Sequence, residues 1–270
     1  MKICIGIVSW LPDDADHRKQ RITRFKSTLN QLDKAFGDRV DYLFIAQNWQ
    51  NFKLPKEIEN RATIFKYDKL GILRARKELR KKFLELNYDY LIMSDDDVIL
   101  EYNDSSVIDD YINALEKHPQ GFMFLQYSWS LNLCAISRWI YEREDMVDID
   151  PEKNEGYEDT CFPNMLHYKY PTREFKVNGI KFKQHLSANR KNVKSTWMKS
   201  GIKYSLLQKR SDFIINHGFK EGLFDIQYLK KLACEKYADD GMETALVPKT
   251  IVSKEEAFTG LSEEWWKEDF

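Results

Sequence analysis

The sequence predicts an α/β fold: a mixed, mostly parallel sheet flanked by helices. Three observations predict it. Short apolar runs recur through the first hundred residues, too short for helices and bounded by polar loops. Amphipathic segments lie between them, so strands alternate with helices. An acidic cluster stands directly behind one apolar run, where sheets of this kind carry their ligands.

The elements follow in order. Ile3 to Val8 is apolar without alternation and reads as a buried strand. Arg18 to Phe36 carries Ile22, Phe25, Leu29, Leu32 and Phe36 at steps of three and four, the pattern of an amphipathic helix. Val40 to Ala46 is a second strand and Thr63 to Tyr67 a third. Leu70 to Leu86 is a basic amphipathic helix with Leu73, Leu79 and Phe83 on its apolar face. Tyr88 to Met93 is a fourth strand and runs straight into Ser94-Asp95-Asp96-Asp97. Ser105 to Lys117 reads as a helix, Gly121 to Tyr127 as a strand, and Leu131 to Glu142 as apolar and then amphipathic. Tyr157 to Tyr168 opens with acids, which suits a helix N-terminus, and Leu223 to Tyr237 is a last helix. The expected division is a catalytic domain over residues 1–220 and a helical extension over 221–270.

Composition narrows the function. A net charge of -1 gives the whole molecule no reason to seek a polyanion. The distribution is less even: Lys169 to Arg210 holds twelve Lys or Arg against one acid, Glu174, with Tyr170, Phe175, Phe182, Trp197 and Tyr204 interleaved. Such a stretch suits a lid over a diphosphate, a contact to an anionic acceptor, or a solvated surface. The four cysteines, Cys4, Cys134, Cys161 and Cys234, show no metal spacing and read as free thiols. The apolar start is too short for a signal-peptide core, and no run reaches the length of a membrane span. The expected location is the cytoplasm, with a peripheral place at the membrane still open.

The aspartate triplet is the strongest signal. Adjacent carboxylates repel, and a hard divalent cation with oxygen ligands removes that cost. Mg²⁺ or Mn²⁺ takes one or two carboxylates and leaves positions for substrate phosphates. In an extended turn Asp95 and Asp97 point one way and Asp96 the other. The rival reading is a solvated acidic turn. No P-loop, GxGxxG or EF-hand pattern occurs.

Leu91-Ile92-Met93-Ser94-Asp95-Asp96-Asp97 resembles the strand and DxD motif of GT-A-fold glycosyltransferases. Gly71-Ile72-Leu73-Arg74-Ala75-Arg76-Lys77 resembles the G-x-x-x-A-R-N segment of family-2-like members, with Lys77 departing from the pattern. Gly156-Tyr157-Glu158-Asp159-Thr160 is similar to their downstream Glu-Asp motif. The resemblance implies a metal-dependent hexosyl transfer from a nucleotide-diphosphate sugar, UDP-sugar first, to an acceptor hydroxyl. It implies Asp159 as base, with Glu158 as the substitute, and inversion at the anomeric carbon. Asp97 and Asp95 would hold Mn²⁺ or Mg²⁺, with His185 as a late ligand and His167 and His217 as its rivals. Ser9, Arg74, Arg76, Asp95 and Asp96 fall to the donor. Trp129, behind a predicted strand, is a candidate for stacking on the sugar. The expected acceptor is a glycan, a lipid-linked sugar or another anionic hydroxyl compound, nucleic acid included. Nucleotidyl transfer is disfavoured because the loop Ser9 to Asp14 is acidic and lacks glycine. The alternative outside enzymes is a polyanion- or nucleic-acid-binding protein working through residues 169–210.

Overall fold

The structure, a computed structural model, describes residues 1–50, 52–125, 131–146, 162–163, 165–166, 169–170 and 172–184. The chain divides into two units. One holds Met1–Pro163 and Tyr170–His185, the other Asn164–Lys169 and Leu186–Phe270. Almost every described residue belongs to the first unit, and its fold follows. The expected boundary at residue 220 lies outside the described residues.

The chain opens with strand β1 (Ile3–Trp10), helix α1 (Ala15–Phe36) and strand β2 (Asp41–Gln47). A one-turn helix α2 (Lys56–Glu59), strand β3 (Ala62–Tyr67), helix α3 (Ile72–Glu85) and strand β4 (Tyr90–Ser94) follow. Then come β5 (Val98–Tyr102), α4 (Ser106–Lys117), β6 (Phe122–Met123), β7 (Cys134–Ser137), α5 (Arg138–Tyr141) and β8 (Ile180–Gln184).

Six strands form one sheet in the order β3-β2-β1-β4-β7-β6, and β5 pairs with β8 in a separate ribbon. The first four are parallel, and β7 runs antiparallel to both of its neighbours. The sheet is therefore mixed and mostly parallel. The chain builds outward from β1 through β2 to β3, then crosses back to place β4 on the other side of β1. That reversal is a topological switch point, and crevices open there at the carboxyl ends of the strands.

Both faces are covered, which explains the unbroken apolar runs. Ile3, Ile5 and Ile7 of β1, with Tyr42, Phe44, Tyr90 and Ile92, share a core with Phe25, Leu29, Leu32 and Phe36 of α1 and Ile108, Tyr111 and Leu115 of α4. On the opposite face Gly6 lets Leu79 of α3 and Leu91 of β4 close over β1. A Cβ there would stand 2.5 Å from a Leu91 methyl and 2.9 Å from both Leu79 methyls.

The elements differ from expectation in a few places. Helix α1 starts three residues early because Asp14 caps it, its carboxylate accepting from the His17 amide at 2.9 Å. The expected strand at Gly121 to Tyr127 is only Phe122–Met123 among the described residues. Leu131 to Glu142 contains a strand and then one helical turn. The β5–β8 ribbon has no counterpart in the sequence reading. Val98, Leu100, Ile180 and Phe182 are buried, while Glu101 and Lys181 are exposed.

Candidate functional site

The acidic turn sits where the topology predicts, at the carboxyl end of β4 beside the end of β1. Its three aspartates have three different environments. Asp96 turns inward and is 1% exposed. Ser9, the penultimate residue of β1, donates its hydroxyl to Asp96 Oδ2 at 2.6 Å. Arg21 of α1 grips the same carboxylate with both ends of its fork, Nη2 to Oδ1 at 2.7 Å and Nε to Oδ2 at 3.3 Å. Burial pushes the Asp96 carboxyl up to about 6, against the opposing pull of the Arg21 guanidinium and the Ser9 hydroxyl; Asp97 and Asp95 add to the rise.

Asp95 faces the other way, where Arg76 and Asn132 hold it. Arg76 Nη2 donates to Oδ1 at 3.0 Å and Asn132 Nδ2 to Oδ2 at 2.9 Å. Asn132 also accepts the Asp95 backbone N–H at 2.8 Å, so one amide reads both the side chain and the main chain. The next residue, Leu133, has φ of 51°, a left-handed conformation that a leucine adopts only when its surroundings impose it. That strain stands beside the clamp on the acidic turn. Asp97 is partly exposed, as Asp95 is. The expected opposition between Asp96 and its two neighbours thus appears as a buried carboxylate between two partly exposed ones.

Arg76 is 7% exposed, and its neighbour on the helix, Arg74, is exposed. Ser9 is fully buried against Asp96, so Ser9 meets the acidic turn directly. The ribbon continues from the same place. Val98, next in sequence after Asp97, lies opposite Gln184 of β8. Trp129, Glu158, Asp159, His167, His185 and His217 lie outside the described residues.

A pocket of about 230 Å³ opens beside the turn, lined by Val8, Trp10, Arg21, Gln47, Lys69, Gly71 and Ile72. Its walls are the carboxyl ends of β1 and β2 and the start of α3. Gln47, 3% exposed, holds the loop before α3: its Oε1 accepts the N–H of Leu70 at 2.7 Å and of Gly71 at 3.1 Å. Gly71 has φ of 81°, which a side chain would strain. The Lys69 ammonium lies 5.6 Å from the centre of the Trp10 ring, a cation–π contact. Arg21 belongs to both places, lining the pocket and gripping Asp96. Sequence reasoning missed Arg21, Gln47, Lys69 and Asn132. Only Arg21 carried a signal, as a cation placed among the apolar steps of the first helix.

Among the described residues no group of three or more His, Cys, Asp or Glu side chains gathers as a metal site. Two partly exposed carboxylates with hard oxygen donors still fit the habit of Mg²⁺ or Mn²⁺, which binds one or two carboxylates and takes other ligands from substrate. Among the described residues no helix is long and apolar enough to cross a membrane.

No protein-family model matches the chain, and no curated protein does. Solved structures similar to it include A197 from STIV, at 13% identity and a TM-score of 0.39, covering 69% of this chain and 87% of that one. A candidate nucleotide-diphospho-sugar transferase from Desulfovibrio desulfuricans G20 is 11% identical, with a TM-score of 0.41 and coverage of 66% and 80%. A cytidylyltransferase from Leptospira borgpetersenii is 14% identical, with a TM-score of 0.39 and coverage of 66% and 77%.

Proposed function

We propose that the chain is a glycosyltransferase that takes a sugar from a nucleotide-diphosphate donor, UDP-sugar first, and passes it to an acceptor hydroxyl. One observation carries this reading: the acidic turn and the neighbouring pocket meet at the switch point of the sheet and share Arg21. The pocket has the size and lining for the donor's base, and the turn lies where a diphosphate extending from it would arrive. The sequence resemblance of the acidic turn and of Gly71 to Lys77 supports the same assignment.

Each residue then has a task. Asp97 and Asp95 would hold Mn²⁺ or Mg²⁺, which supplies charge neutralisation on the leaving diphosphate. Arg76 and Asn132 orient Asp95, and Arg74 is an outward-facing cation for the donor. Ser9 and Asp96, buried against each other, support the turn from beneath and stay in the proposed donor set through the turn and the end of β1 that they position. His185 stays in the proposed metal set because it follows Gln184, and Gln184 pairs with the residue after Asp97. Asp159, with Glu158 as its substitute, takes the proton of the acceptor hydroxyl as that oxygen attacks the anomeric carbon. A single displacement inverts the configuration there. Trp129 remains a candidate for the sugar face. A glycan, a lipid-linked sugar or nucleic acid are the proposed acceptors, and residues 169–210 the surface for an anionic one.

The test is donor binding and slow donor hydrolysis, with UDP-, GDP-, CMP- and dTDP-sugars in Mn²⁺ or EDTA. Wild type is expected to bind one class in Mn²⁺, and Asp97→Ala to lose at least about tenfold in affinity, about 1.4 kcal/mol. Binding that ignores both EDTA and Asp97→Ala would remove the acidic turn from the reaction. Failure with every donor, with salt-sensitive binding of a nucleic acid instead, would favour a polyanion-binding protein.

A further inference from the structure

We infer that the pocket between β1, β2 and α3 selects a base with a carbonyl edge, and that Gln47 is the residue that makes the selection. The inference rests on the nucleotide-donor reading above and adds to it which bases the donor carries.

Size and shape come first. At about 230 Å³ the pocket is smaller than the several hundred cubic ångströms of pockets for drug-sized ligands, so it takes one flat ring system. Trp10 and Ile72, 36% and 38% exposed, are two of the four large apolar side chains exposed among the described residues, and both line it. Apolar surface left open at the rim of a polar site marks a place for an apolar face. The Trp10 ring supplies a stacking surface for one.

Hydrogen-bonding capacity comes next. Gln47 Oε1 already accepts from the backbone N–H of Leu70 and of Gly71. Those two donors fix the orientation of the amide, because an NH₂ group in that position would face two N–H groups. What remains of Gln47 for the pocket is its Nε2, a donor. Arg21, with two of its nitrogens on Asp96, is also a donor only, as are the Lys69 ammonium and the Trp10 indole N–H. The side chains lining the pocket therefore offer donors and no acceptor. Uracil, thymine and guanine present a carbonyl oxygen to such a wall. With the ribose directed toward the acidic turn, the edge that meets the wall is the one opposite the glycosidic bond, where cytosine and adenine carry an amino group in place of the carbonyl; donor then faces donor, and the acceptors these bases hold on other edges point away. Sites built to hydrogen-bond one edge reject the mismatched edge strongly.

A phosphate is also an acceptor, so the experiment separates the two sources. Dissociation constants of UDP, GDP, dTDP, CDP and ADP are measured on the full chain in Mn²⁺, with inorganic phosphate as a competitor. The expected result is binding of UDP, dTDP or GDP at least about tenfold tighter than CDP and ADP, a difference of about 1.4 kcal/mol. Gln47→Glu keeps an oxygen for the Leu70 and Gly71 amides and turns a second acceptor to the pocket. It is expected to shrink the UDP-to-CDP preference by about tenfold or reverse it, with a melting curve recorded to establish that the variant is folded. Equal binding of UDP and CDP by wild type overturns the inference whatever the variant does. Equal binding of all five, displaced by inorganic phosphate, overturns it in favour of a phosphate site. Absence of binding by any nucleotide overturns the donor reading itself, an outcome distinct from intact binding without selection.

Discussion

At the scale of single residues, Asp96 is a buried acid with one charged partner, and the consequences can be measured. Its folded-state value of about 6 lies above the ordinary 3.8, so the folded protein holds this proton more tightly than the unfolded chain does. Stability contributed by the group is therefore greatest at low pH, falls as pH rises from about 4 through about 6, and is level above that. Two units correspond to roughly 3 kcal/mol. Asp96→Asn removes the titration. Its stability relative to wild type is expected to improve by roughly 2 kcal/mol between about pH 4.5 and about pH 7, read from urea melts. Parallel wild-type and variant curves across the two conditions would contradict the burial account. Removing the counter-ion instead, Arg21→Met, leaves the carboxylate unpaired and is expected to cost roughly 3 kcal/mol near neutral pH, most of it regained in Arg21→Met with Asp96→Asn. The acidic triplet was legible in the sequence because it follows an apolar strand. The inward turn of Asp96 toward Ser9 and Arg21 was not, since those partners lie 87 and 75 residues away and no local pattern encodes their approach.

At the scale of elements, the strands β1 to β4 were legible because a parallel sheet buried on both faces demands continuous apolar runs. The ribbon was not. Val98 and Leu100 of β5 and Ile180 and Phe182 of β8 are buried with exposed Glu101 and Lys181 among them, so neither strand offers the unbroken apolar run that marked the others. Helix α1 ties the two parts together. It sends Arg21 to the acidic turn, Thr28 Oγ1 to the Val98 carbonyl at 2.8 Å, and Gln31 Oε1 to the Leu100 N–H at 2.9 Å. The turn is thereby fixed on its near and far sides by one rigid element, the support that a precise site requires. Packing on the other face is as tight. Gly6→Ala places a methyl against Leu79 and Leu91, both fully buried, and is expected to cost about 1 to 3 kcal/mol in a urea melt. No loss would mean that α3 can lift from the sheet, and with it Arg76 from Asp95.

At the scale of the whole molecule, the site gathers residues from β1, α1, β2, the start of α3, the end of β4 and the approach to β7. A ligand there binds only the folded chain, so it adds to global stability. A nucleotide at about a hundred times its dissociation constant is expected to raise the unfolding free energy by about 2.7 kcal/mol in a urea melt, and Asp97→Ala to show less at the same concentration. How far the site could be read in advance follows the same geography. Asp95, Asp97 and Arg76 belong to motifs written in consecutive residues, whereas Gln47 and Asn132 act only through the topology that brings β2 and the segment before β7 to the turn. The β5–β8 ribbon adds a rule about chain length. Its register pairs Val98 with Gln184 and Tyr102 with Ile180, so distance along β8 is counted from the acidic turn. Residues inserted or deleted in the connections between α4, β6, β7 and α5 leave that count intact, because a connection absorbs them without moving an element. One residue gained or lost inside either strand exchanges the buried and exposed faces of everything beyond it. Relatives of this chain should therefore vary in length at the connections between those elements and hardly at all within the ribbon.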